Sequence, residues 1–138
     1  MELKLHYLCY TNLLLVITLL YFLFQRRPTT PMIEYFLAAL LVVTMVCSQL
    51  LWSHPIQQST LHKIDAVVAK FVILCFILYT LVFKFKYSYV VVLAAIFISF
   101  YFSHLYSSQE WGCRSHVKCH GLAHVFCFVG TFYAFLPM

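Results

Sequence analysis

Long apolar runs alternate with short polar breaks along the chain. The runs fall at about 5–24, 32–52, 61–83, 87–106 and 116–136. Each holds roughly 20 residues, the length an α-helix needs to cross about 30 Å of hydrocarbon. The breaks carry residues that end helices. Gln25-Arg26-Arg27-Pro28 closes the first run, and Pro31 suits the first position of the next helix. Ser53-His54-Pro55 closes the second run. A residue before proline is steered out of helical geometry, which places His54 at or just past the helix end. Lys84-Phe85-Lys86 marks the far boundary of the third run, and 107–118 forms the longest loop, with Trp111, Gly112 and Cys113. The pattern predicts an all-α fold, a polytopic transmembrane helix bundle with about five spans, in which residues 1–138 form one domain. The first run is followed by no small-residue cleavage site and is expected to be a span rather than a removed signal.

Composition narrows the class further. Hydrophobic residues make up 64% of the chain and charged residues 9%, against roughly a quarter charged in soluble domains. No large extramembrane domain is expected within these residues, and the protein is expected to be an integral, multi-pass protein of an endomembrane or the plasma membrane. The formal charge of +5 is scattered over loops and forms no nucleic-acid stripe. Membrane lipids are the expected partners. Five helices make a thin wall around a polar site, so a homodimer or a partner subunit also fits. Lys4, Lys63, Arg114 and Lys118 fall on one membrane face, and Arg26, Arg27, Lys84 and Lys86 on the other. That tie gives no orientation. Of the six cysteines, Cys9, Cys47, Cys75 and Cys127 sit in apolar runs and read as small hydrophobes. Cys113 and Cys119 flank one loop and are the pair placed for a disulfide in an oxidising compartment.

The last run opens with His120-Gly121-Leu122-Ala123-His124. Residues four apart lie one above the other on a helix face, so two imidazoles so placed can grip one metal ion. Polar groups at membrane depth are costly, which makes them candidate functional sites. Five alternating helices put the end of the second and the starts of the third and fifth on one face. His54, Asp65, His120 and His124 all fall there. Three neutral imidazoles and a water make an open tetrahedral zinc site, with His54 as third ligand and Asp65 positioned to orient the water. A nearby serine can stabilise a developing oxyanion.

This order of residues resembles the CREST superfamily of membrane hydrolases, which includes alkaline ceramidases, the adiponectin-receptor family and GPI-processing relatives. The segment His120-Gly-Leu-Ala-His124-Val resembles their last-helix motif. The interval from His54 to Asp65 resembles that of alkaline ceramidases, and Leu61-His62-Lys63-Ile64-Asp65 is similar to the third-helix entry of the receptor branch. The resemblance implies a zinc-dependent amidase or lipid hydrolase acting on a ceramide-like amide or a lipid ester. His54, His120 and His124 would bind zinc, and Asp65 would hold the metal-bound water. The family places a serine four residues before its second-helix histidine. Leu50 stands there, with Ser48, Ser53 and Cys47 as neighbours. Ser48 is the candidate replacement. The family also has about seven helices, against five here.

Other readings stay open. The same architecture serves a non-catalytic receptor or assembly factor that keeps zinc for structure. Paired histidines such as His54 and His120 can hold a haem. His62, three residues before Asp65, competes with His54 but reads better as a helix-start residue. His116 extends the ladder 116, 120, 124 and offers a shifted metal pair. His6 and His104 read as interfacial. Lys70 lies about 140° around its helix from Asp65. It must snorkel, contact a lipid phosphate or line a cavity. Glu34 is placed to pair with Lys84 or Lys86.

Overall fold

The computed structural model describes residues 2–137, with side chains from residue 5 onward. Met1, Met138 and the side chain of Lys4 lie outside the described residues. The segments are α1 (Glu2–Asn12), α2 (Leu15–Gln25), α3 (Met32–Ser53), α4 (Thr60–Phe83), α5 (Tyr87–Gln109) and α6 (Arg114–Phe135). The fold is all-α, with no strand among the described residues. Four stretches are long and apolar enough to cross a membrane: Leu5–Gln25, Met32–Ser53, Thr60–Phe83 and Tyr87–Gln109.

The first expected span is broken in two. Leu13 and Leu14 form a turn between α1 and α2. Leu14 N–H bonds the carbonyl of Thr11 at 3.3 Å, and Val16 N–H that of Leu13 at 3.0 Å, so the ladder tightens to a three-residue step. Thr11 and Asn12 supply the cause. Such side chains offer hydrogen bonds that compete with a helix. Asn12 donates to the carbonyl of Met45 and to Gln49 Oε1 on α3, at 2.9 and 3.1 Å.

α6 is as long as the others but carries Arg114, Lys118 and three histidines, and it falls short of a span by apolarity. Its position explains how that composition is tolerated. It packs against α1, α2, α4 and α5, while α3 closes the bundle against α1, α2 and α4. Neighbours bury His116 and half-bury His120 and His124, while Arg114 and Lys118 stay exposed near the start of α6. Small residues let them approach, as is usual between membrane helices. A Cβ on Gly130 would meet Ile96 on α5 at 3.3 Å, and one on Gly121 would meet Thr11 on α1 at 3.7 Å.

The core divides by depth. One cluster, with Phe22, Leu37, Leu41, Phe76 and Phe135, fills the end where α3 begins. The other, with Leu5, Leu8, Leu51 and Trp52, fills the end where α3 stops, and Trp111 packs against it. All six cysteines are free thiols. Cys113 and Cys119 are not joined; instead the Cys113 sulfur caps α6, accepting from His116 N–H at 3.4 Å. The expected pairing of Glu34 holds. Its carboxylate lies 3.6 Å from Lys84 Nζ, and both side chains are buried.

Candidate functional site

Two helix starts deliver histidines to the end of the bundle that holds Trp52, and both are built alike. Gln58 and Gly112 take positive φ, 63° and 84°, at the third position of a tight turn. Ser59 and Cys113 follow as caps and accept from the backbone N–H of His62 and His116. Each histidine then reaches back: the Gln58 N–H donates to His62 Nδ1 at 3.0 Å, and the Gly112 N–H to His116 Nδ1 at 2.9 Å. This is the reciprocal logic of a capping box with imidazole in place of glutamate. It also fixes the tautomer. A neutral imidazole that accepts at Nδ1 carries its proton at Nε2. His62 and His116 thus present N–H donors, not metal-binding lone pairs. The helix-start reading of His62 is what the structure contains, and the shifted metal pair of His116 with His120 is not supported.

His120 and His124 lie deeper, half-buried, with ring centroids 4.8 Å apart. Thr11 Oγ1 lies 2.8 Å from His124 Nδ1 and gives its own hydrogen to the Leu8 carbonyl at 3.1 Å. Thr11 must therefore accept from His124 Nδ1–H, which leaves the Nε2 lone pair free. His120 Nδ1 pairs with the buried Ser103 hydroxyl at 2.9 Å. These partners orient both rings as outer partners orient metal-ligating histidines.

The carboxylate lies on the same end. Ser48 Oγ donates to Asp65 Oδ1 at 2.5 Å, and both residues are 7% exposed. A close O–H···O⁻ contact is charge-assisted and strong. Asp65 has no cationic partner among the described residues.

The expected third ligand is elsewhere. His54 is exposed at the C-cap of α3, with φ −137° and ψ 70°. Pro55 ends the helix and turns it outward, so His54 is not brought together with His120 and His124. The haem alternative drew on the same exposed His54. Leu50 is 56% exposed on the outward face, and Ser53 spends its hydroxyl on the Gln49 carbonyl at 2.6 Å. Ser48 alone of these faces Asp65. One turn beyond Ser48 stands Trp52, 2% exposed, its ring 5.1 Å from that of His120. Sequence reasoning missed Trp52. The signal was the four-residue step from Ser48, read from Leu50 instead. The indole Nε1–H is buried and meets no acceptor among the described residues. Trp111 closes the end from the loop, 6.1 Å from Trp52, 5.7 Å from His62 and 6.1 Å from His116.

Among the described residues no three histidine, cysteine, aspartate or glutamate side chains are grouped to hold a metal ion. No family model matches the chain, and neither a curated protein nor a solved structure matches it.

Proposed function

We propose that this is a multi-pass membrane protein that engages the polar group of a membrane lipid at the Ser48–Asp65 and His120–His124 site without hydrolysing it. That is the receptor or assembly-factor role of the architecture. The observation that carries the reading is Trp52. Its indole packs on His120 one turn beyond the Asp65-bonded serine, where the resembled family has its second-helix histidine. A catalytic zinc needs three protein ligands and an open position. His120 and His124 supply two. The half-buried edges of those rings, at membrane depth, favour a ligand that arrives from the bilayer.

A second reading, the zinc-dependent lipid amidase or esterase, keeps support from two features. Ser48, the candidate replacement serine, is paired with Asp65, and the His124 Nε2 lone pair is free. One experiment separates them. The detergent-purified protein is assayed for metal and incubated with ceramides and glycerolipids. The binding reading expects zinc well below one per chain and no fatty-acid release. Zinc near one per chain with release that Asp65→Asn abolishes would replace it with the hydrolase.

A further inference from the structure

Lys70 is exposed on the outward side of α4, in a stretch apolar enough to span a membrane. Its neighbours on that side, Val67, Phe71 and Leu74, are 68%, 53% and 53% exposed, as lipid-facing residues are. Lys63 is exposed seven residues earlier. At 100° and 1.5 Å per residue, the two lysines lie within about 20° of each other on the helix surface and about 10.5 Å apart along it. Two cations on one apolar stripe repel, and a cation in hydrocarbon is costly. Among the described residues no acidic side chain pairs with either lysine. Of the chain's four acidic residues, Glu34 is buried against Lys84. Asp65 is buried on Ser48 and turned about 140° from Lys70. Glu110 follows α5 in the loop, and Glu2 stands at the start of α1, its side chain outside the described residues.

We propose that Lys63 and Lys70 together clamp the phosphate of an anionic phospholipid, whose acyl chain lies along Val67, Phe71 and Leu74. Depth favours this occupant. Asp65 is the last polar residue before Lys70 on α4, so Lys70 stands only about 7.5 Å below a polar position. A four-carbon stem returns its ammonium to the headgroup layer. Lys63 already stands at the entry, so the two ammoniums meet at phosphate level. Within the spanning helices a second copy offers no exposed acid, because Glu34 and Asp65 are both buried; the exposed Glu110 stands beyond them, in the loop after α5. The site is separate from the histidine pair and does not depend on the proposed function.

The test is thermal unfolding in nanodiscs of phosphatidylcholine alone or with phosphatidylserine. We expect the anionic lipid to raise Tm by several degrees at low salt, with the gain shrinking as salt rises. Lys63→Gln/Lys70→Gln should lose most of that gain, and Lys70→Leu, an apolar residue suited to a lipid-facing helix position, should lose at least half. Inorganic phosphate at millimolar concentration should give no shift. Equal Tm in the two lipids, or an unchanged gain in Lys70→Leu, would overturn the proposal. So would a stoichiometric partner polypeptide in phosphatidylcholine that Lys70→Leu releases, since a helix-borne acid would then be the occupant.

Discussion

The two ends of the bundle each bury a carboxylate, and they treat it differently. Where α3 begins, Glu34 has a lysine 3.6 Å away and accepts from the Tyr79 hydroxyl at 3.1 Å. Lys84 also donates to the Leu136 carbonyl, and Gln25 to that of Phe135, so the same network ties down the end of α6. Where α3 stops, Asp65 has a serine hydroxyl and a histidine ladder nearby, but no cation among the described residues. A buried charge that is paired and hydrogen-bonded on all sides serves structure. One left with a single hydroxyl keeps acceptor capacity for something else. The difference marks the first end as the one that holds the helices together, and the second is the end of the proposed binding site.

Breaking the paired end should do the most damage. Lys84→Met leaves Glu34 buried and uncompensated, and we expect it to destabilise the bundle by about 3–5 kcal/mol, read by denaturant unfolding in detergent. Adding Glu34→Gln should recover most of that loss. A single variant as stable as wild type would remove the pair from the account. At the other end, Trp52→His places a third imidazole beside His120. It should sacrifice about 2 kcal/mol of packing and raise bound zinc to near one per chain by metal analysis. No gain of zinc would mean that His120 and His124 do not present two lone pairs.

Smaller effects sharpen the contrast. The twin turns differ in the residue that takes positive φ. Gly112→Ala adds a Cβ 3.2 Å from Leu5 at φ 84°, and should cost about 1–2 kcal/mol in Tm-derived stability. Asp65→Asn should change stability by less than about 1 kcal/mol, because it removes a charge that no cation balances. A loss as large as that of Lys84→Met would make Asp65 structural and dissolve the comparison. Gln58→Gly, at the matching turn, should stabilise by about 0.5 kcal/mol, since glycine takes φ 63° freely. A loss there would show that the Gln58 side chain, not its backbone N–H, serves the turn.

Much of the fold was legible along the chain. Twenty-residue apolar runs and their proline and charged breaks specify helices whatever packs on them, because lipid leaves backbone groups no other partner. The turns and the common end of His120, His124 and Asp65 followed from alternation alone, and the pairing of Glu34 with Lys84 or Lys86 from unlike charges at one boundary, between which the structure chose Lys84. What sequence could not supply was rotational phase. A shift of two residues turns a helix by about 200°. That is the distance between choosing Leu50 with His54 and choosing Ser48 with Trp52. Continued helix would set His54 above the exposed Leu50, on the outward face, and only the packed neighbours decide which side is inward. The break at Leu13 was hidden for the same reason: Asn12 and Thr11 disturb a helix only when Met45, Gln49 and His124 stand opposite to receive them. The tautomers of His62, His116 and His124 likewise depend on bonds to turns and to another helix. Periodicity fixes which residues share a depth, and packing alone fixes which of them meet.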